Sequence, residues 1–414
     1  MNLILNFHPE HEYFPVSPNA HFHLLLELNA PLAKDYKRNT PLNLAFVLDS
    51  SGSMAGSKIE YVKQAVIFAL KQLTADDAAS LTTFNSSVYT IFPGSRVVNS
   101  RELIQEVFKI GATGMTNLSG GLLQGYQELD RFFSDKAINR VILLTDGLAN
   151  VGITNHQELA EIAAKNSAQN KTLTCLGVGV DFDENLLMTL TDAGRGNYYY
   201  INTPDRIPAF FEQELNGLSK IAAQNIKLTL NFPDLVFPVR IYDLKAKFHS
   251  KTSLTIDLDE LYAGQSQRLL LSIQVENVSI PRELPLNIEL QYFDASTLET
   301  VTKTFTFPLK FSTDPELLEK VNQIVVEEKF YREILEAREK TIFYADRGDV
   351  ESLKLLQQEL QAKEKHFASL NDEIKEEYFK FMNMEIPSFI QNRDDPGLRK
   401  QSTYDIYNKK RRKR

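Results

Sequence analysis

The residues best suited to chemistry lie in three short stretches of the first half of the chain. Leu48-Asp49-Ser50-Ser51-Gly52-Ser53-Met54 follows an apolar run and precedes a helical stripe. Its D-x-S-x-S spacing puts one carboxylate and two hydroxyls on a single tight loop, with Gly52 expected to permit the sharp turn. Gly114-Met115-Thr116-Asn117 offers the Thr116 hydroxyl just before a helix, and Leu144-Thr145-Asp146-Gly147 offers the Asp146 carboxylate just after a strand. Three hydroxyls and two carboxylates, with no nearby His or Cys, make an oxygen-only donor set. Such a set suits Mg²⁺, Mn²⁺ or Ca²⁺ rather than zinc or copper. Mg²⁺ takes about six oxygens in an octahedron and usually keeps some waters. With Ser51, Ser53 and Thr116 as direct ligands and Asp49 and Asp146 holding waters, one position stays open.

The elements that must position these loops are legible in the periodicity. Leu42 to Leu48 is a short apolar run, the mark of a strand buried on both faces. Ile59, Val62, Val66, Ala69, Leu70 and Leu73 then recur at helical spacing. Strands over 81–84, 88–92, 141–144, 172–178 and 198–201 alternate with helices over 103–108, 118–133, 157–168, 184–191 and 207–221. That alternation implies an α/β fold with a doubly wound, mostly parallel sheet, whose ligands sit beyond the carboxyl ends of its strands.

The flanks read differently. Residues 1–35 alternate apolar and polar, most clearly in Phe22-His23-Leu24-Leu25-Leu26-Glu27-Leu28, as one or two strands. Alternation returns at 226–230, 269–275 and 304–307, which gives an antiparallel β-sandwich that the N-terminal strands are expected to join. Asp314-Pro315-Glu316 is a helix start, and the apolar stripe from Leu317 to Val325 opens a helical hairpin or bundle. The expected domains are N-terminal strands at 1–38, the α/β domain at 39–223, the sandwich at 224–312, the hairpin at 313–385, and a poorly ordered basic tail at 386–414.

At this point the motifs resemble a family. D-x-S-x-S, a Thr on a second loop and an Asp on a third make up the metal-ion-dependent adhesion site of the von Willebrand factor type A domain. All five positions are met here, by Asp49, Ser51, Ser53, Thr116 and Asp146, in matching order over about residues 41–215. Asp181-Phe182-Asp183-Glu184 and Ala193-Gly194-Arg195-Gly196-Asn197-Tyr198-Tyr199 look similar to bacterial multi-domain members. Asp76-Asp77-Ala78 departs from them, with Ala where many relatives have Arg. The resemblance implies a Mg²⁺-dependent protein–protein interaction module, not an enzyme, in which an Asp or Glu from a protein partner completes the metal's coordination. It also implies an alternative, an adaptor subunit of an AAA+ ATPase of the chelatase type. A Mg²⁺-dependent hydrolase using the same site ranks last, because no general base is visible beside the serines.

Composition narrows the remaining classes. The chain has 414 residues, 46 basic and 54 acidic, with net charge −8. The last six residues, Lys409 to Arg414, are all basic, so the rest carries −14. An acidic body argues against a nucleic-acid-binding core. The basic end is expected to be a solubilising terminus, with an electrostatic anchor as the alternative. Cys175 is the only cysteine, which excludes internal disulfides and suits a reducing compartment. No signal-peptide pattern or membrane-length apolar run is present, so the expected location is cytoplasmic, with no transmembrane segment. His8, His11, His21 and His23 fit no standard zinc spacing. Asp76 and Asp77 read as a helix-to-strand turn rather than an acid/base pair. No G-x-x-x-x-G-K-[ST] loop is present, so nucleotide hydrolysis is not expected.

Overall fold

The computed structural model describes residues 2–17, 19–32, 40–362, 370–392 and 395–411. The chain falls into two compact units, one of Met1–Ala33, Ala223–Asp294 and Thr300–Arg414, the other of Lys34–Ala222 and Ala295–Glu299. In chain order the first strands are β1 (Ile4–Pro9), β2 (Phe14–Pro15) and β3 (Asn19–Asn29). The second unit then follows almost without interruption.

Its elements are β4 (Leu42–Asp49), α1 (Ser57–Gln72), β5 (Ala78–Phe84), β6 (Val88–Arg96), α2 (Ser100–Val107), α3 (Leu118–Asp130), β7 (Ile138–Thr145), α4 (His156–Ser167), β8 (Lys171–Val178), α5 (Glu184–Gly194), β9 (Arg195–Ile201) and α6 (Ile207–Leu218). The six strands order as β6-β5-β4-β7-β8-β9. All neighbours are parallel except β5 and β6, which the three-residue link Asn85–Ser87 folds back as a hairpin. The order runs outward in both directions from β4, so β4 and β7 flank the switch point where crevices open. β4, β5, β7 and β8 are buried along their whole length, as strands covered on both faces are. Helices cover the sheet closely where small residues allow it. A Cβ on Gly125 of α3 would lie 2.4 Å from Val47 Cγ2, and one on Gly121 2.4 Å from Phe84 Cδ1.

One buried ion pair ties several of these elements together. Arg140 of β7 is fully buried and its Nη1 donates to Glu214 Oε1 on α6 at 2.6 Å. The same carboxylate accepts from Thr174 Oγ1 at 2.6 Å, Asn197 Nδ2 at 2.8 Å and the Tyr199 hydroxyl at 2.8 Å. Arg140 Nε donates in turn to Thr172 Oγ1 at 2.8 Å. Three strands and the last helix of the unit are thereby tied through one ion pair.

The first unit continues with β10 (Ile221–Asn231), β11 (Val236–Ile241), β12 (Ala246–Phe248), β13 (Ser253–Leu258), β14 (Leu261–Tyr262), β15 (Ser266–Glu276), β16 (Arg282–Asp294) and β17 (Glu299–Ser312). They make a four-stranded sheet, β1-β3-β15-β11, and a seven-stranded sheet, β12-β13-β10-β16-β17-β2 with β14 on β10. The N-terminal segment supplies three strands rather than one or two, and it joins both sheets. β3 pairs antiparallel with β15 over its whole length. Aromatic rings bridge the sheets: Phe14 stacks on Phe22 at 3.6 Å and Phe7 on Phe307 at 5.0 Å.

The helices are α7 (Pro315–Leu318), α8 (Gln323–Asp346), α9 (Val350–Ala362), α10 (Asp372–Lys380), α11 (Ile386–Gln391) and α12 (Pro396–Lys410). Two expectations are corrected here. The stripe from Leu317 to Val325 is not one helix, because α7 stops after a single turn. Val321 then bridges to His11, and Asn322 starts α8 by accepting the Ile324 N–H. The end of the chain was expected to lack order, yet residues 396–410 form a helix capped by Asp395. Its basic residues have acidic partners within the unit: Lys409 on Glu377, Lys410 on Glu339 at 2.6 Å, and Arg411 on Asp259 at 2.6 Å. Residues 412–414 lie outside the described residues.

Candidate functional site

Asp49 ends β4, the central strand, and the chain must turn sharply there because β5's end lies alongside. Ser50 N–H donates to Phe84 O at 2.8 Å, which fixes the start of the turn. The loop is then tied to the Thr116 loop by two backbone bonds, Thr113 N–H to Ser50 O at 2.8 Å and Gly52 N–H to Gly114 O at 3.0 Å. Left-handed backbone falls not at Gly52 but at Gly56 (φ 82°) and Gly114 (φ 81°). A Cβ at Gly114 would also meet Ser86 Oγ at 2.9 Å. The glycine that the turn geometry requires is therefore Gly114, across from the D-x-S-x-S loop.

The donor atoms converge. Ser51 Oγ and Ser53 Oγ are 3.0 Å apart, and Ser53 Oγ donates to Asp146 Oδ1 at 2.7 Å. Thr116 enters from α3's approach, its N–H held by Asn150 Oδ1 at 2.9 Å and its carbonyl accepting the Asn150 and Val151 N–H groups at 3.2 Å. A Cβ built on Gly147 would lie 3.6 Å from Thr116 Oγ1 and 3.8 Å from Ser53 Oγ, so the two hydroxyls flank that glycine. Asp49 sits deeper. Its Oδ1 accepts the Ser51 N–H at 2.8 Å and its Oδ2 the Thr145 hydroxyl at 2.6 Å. Asp49, Ser51, Thr116 and Asp146 are buried while Ser53 is exposed, so the donors run from a buried floor to a wet rim. Burial pushes the Asp49 carboxyl above its ordinary value. Bonds from Ser51 and Thr145 pull against that, and the neighbouring Asp146 charge adds to the rise.

That arrangement tests what the residues can hold. Two carboxylates without solvent access and three hydroxyls within one cluster are costly unless a cation or further donors offset them. The chemistry is that of a hard divalent cation. Helix capping by Asp49 or Ser51 does not account for the loop, since α1 is capped by Gly56 with no side-chain bond. One participant was not anticipated: the Lys58 ammonium pairs with Asp146 Oδ2. Its place in the first turn of α1 carried no sequence signal for this contact, since a helical lysine is ordinarily solvated.

Other candidates fall elsewhere. Among the described residues no group of three or more His, Cys, Asp or Glu gathers as a metal cluster. His23 pairs with Glu10 at 2.9 Å and His8 with Glu27 at 3.6 Å, both in the first unit. The Asp77 carboxylate accepts the Leu42 and Thr74 N–H groups at 2.8 Å, a turn-holding role. Cys175 is buried in β8, and burial pushes its thiol up to about 12. Among the described residues no helix is long and apolar enough to cross a membrane.

Residues 43–213, which contain Asp49, Ser51, Ser53, Thr116 and Asp146, match the von Willebrand factor type A domain. The protein YfbK of Escherichia coli (strain K12) is 28% identical over 205 residues, covering 49% of this chain and 36% of that protein. Human inter-alpha-trypsin inhibitor heavy chain H3 is 31% identical over 191 residues, covering 43% of this chain and 21% of its own. The chain thus spans about a third and a fifth of these relatives' lengths. Two solved structures share the fold more widely. A von Willebrand factor type A protein from Catenulispora acidiphila superposes with TM-score 0.70 at 18% identity, over 83% of this chain and 82% of that one. The ArnB paralog VWA2 from Sulfolobus acidocaldarius gives 0.63 at 17%, over 99% and 98%.

Proposed function

With residues 43–213 a von Willebrand factor type A domain, we propose that the chain is a bacterial, cytoplasmic, non-enzymatic interaction protein. It captures an acidic side chain of a protein partner through Mg²⁺ held at Asp49, Ser51, Ser53, Thr116 and Asp146. The observation that carries this reading is the meeting of Ser51, Ser53 and Asp146 oxygens within 3.0 Å, from loops after two different strands. When bound, the cation supplies an electrophilic point that attracts a carboxylate. Ser51, Ser53 and Thr116 offer oxygens directly, while Asp49 orients the loop through its bonds to Ser51 N and Thr145 Oγ1. Binding is favoured over nucleophilic catalysis because the Ser53 hydroxyl faces the Asp146 carboxylate, already paired with Lys58, rather than an imidazole.

The test is affinity capture in Mg²⁺ and in chelator, with Asp49→Ala as control. Capture in Mg²⁺ that disappears in chelator and in Asp49→Ala is the expected result. Equal capture in chelator would sink the reading. Recovery of an AAA+ ATPase among the captured proteins would identify the adaptor form of the same function.

A further inference from the structure

Lys58 lies at the second residue of α1, one of the least favourable places on a helix for a cation, because the unpaired N–H groups there carry partial positive charge. Something must hold its ammonium there, and the structure names it: Asp146 Oδ2. Both oxygens of Asp146 are then engaged, Oδ1 by the Ser53 hydroxyl and Oδ2 by Lys58. The carboxylate is fully buried, whereas the Lys58 side chain keeps 24% of its surface exposed. The ammonium is therefore the mobile partner of the pair, with open water to return to.

We propose that Lys58 is a tethered counter-ion of this site, which must leave Asp146 before a divalent cation can use the donor set. This inference rests on the metal-binding reading given above. Its physical basis is competition between charges. Two buried carboxylates need compensation, and one internal ammonium supplies part of it. A divalent ion in the same cluster supplies more, but it repels the ammonium at short range. The two cations are mutually exclusive on Asp146, so the site has an ammonium-paired state and a metal-loaded state. Lys58 thereby raises the free-cation concentration at which the site fills, and it keeps the metal-free domain folded around its buried acids.

The experiment compares full-length wild type, Lys58→Gln and Lys58→Arg by calorimetric titration with Mn²⁺ and by thermal unfolding in chelator. Lys58→Gln should bind Mn²⁺ about two- to fivefold tighter, as expected for removal of a partly exposed competing charge, and should melt lower than wild type in chelator. Lys58→Arg should keep both wild-type values. Equal or weaker Mn²⁺ binding by Lys58→Gln, with wild type binding normally, would overturn the role of Lys58 alone. Lack of Mn²⁺ binding in both wild type and Lys58→Gln would overturn the metal reading itself, and this inference with it.

Discussion

Substituting Glu214 with Gln tests how much of the α/β unit depends on the buried ion pair between Arg140 and Glu214. The change keeps shape but removes the charge that faces Arg140 at 2.6 Å, with both side chains at most 1% exposed. Breaking a buried pair from one side costs about 3–5 kcal/mol, because the remaining charge stays desolvated. For a unit of this size, that corresponds to a fall of roughly 10 °C in its melting temperature. Replacing both partners, as Arg140→Met with Glu214→Leu, removes charge and counter-charge together and should recover most of the loss. The assay is thermal unfolding of wild type and the two variants across pH. Burial pushes the Glu214 carboxyl up, but Arg140 and the bonds from Thr174, Asn197 and Tyr199 outweigh it and hold it below its ordinary 4.5. A carboxyl held low stabilises fully above about pH 4.5 and loses that contribution as pH falls through its folded value. The gap between wild type and Glu214→Gln should therefore be largest near neutrality and narrow below pH 4.5. A shift under about 2 °C at pH 7, or a gap that widens in acid, would refute the reasoning.

Two glycines separate steric from functional roles. Gly196→Ala would bring a Cβ within 2.2 Å of Leu173 O and 2.8 Å of Thr174 N, both backbone atoms, so it should destabilise the domain by about 2 kcal/mol or more in urea unfolding. Gly147→Ala meets nothing closer than Thr116 Oγ1 at 3.6 Å, so its melting temperature should match wild type. Its methyl group nevertheless lies between the Thr116 and Ser53 hydroxyls, and Mg²⁺-dependent capture should weaken several-fold.

The two aspartates of the candidate site were legible because each stands where a buried apolar run ends, while Thr116 stands just before a helix and Ser51 and Ser53 follow Asp49 at fixed spacing. The strand at 141–144 announced Asp146, and the strand at 42–48 announced Asp49. Lys58 was not legible, because a lysine in an amphipathic helix is ordinarily a solvated residue and only the fold brings its ammonium to Asp146. The same holds for Arg140, which sits in an apolar strand and finds Glu214 seventy-four residues later. The tail misled for a related reason. A run of basic residues reads as solvated unless its partners are known, and Glu377, Glu339 and Asp259 are scattered between positions 259 and 377 of the sequence.

The pairing of β3 with β15 has a consequence for the order in which the protein can be made. Leu26 faces Leu269 in that ladder, so roughly 240 residues separate strands that must hydrogen-bond side by side. A ribosome adding about 5–20 residues per second needs on the order of 12–50 s to bridge that gap. The intervening α/β unit is nearly continuous in sequence, and all of it but Ala295–Glu299 is made within that time. β3, with Leu24, Leu25 and Leu26 in a row, has no ladder partner in β15 until then. Nascent chains stalled between residues 222 and 266 should therefore carry the elements β4 to α6 and a β3 strand paired with β1 on one edge only, an open apolar edge of the kind that holdase chaperones bind.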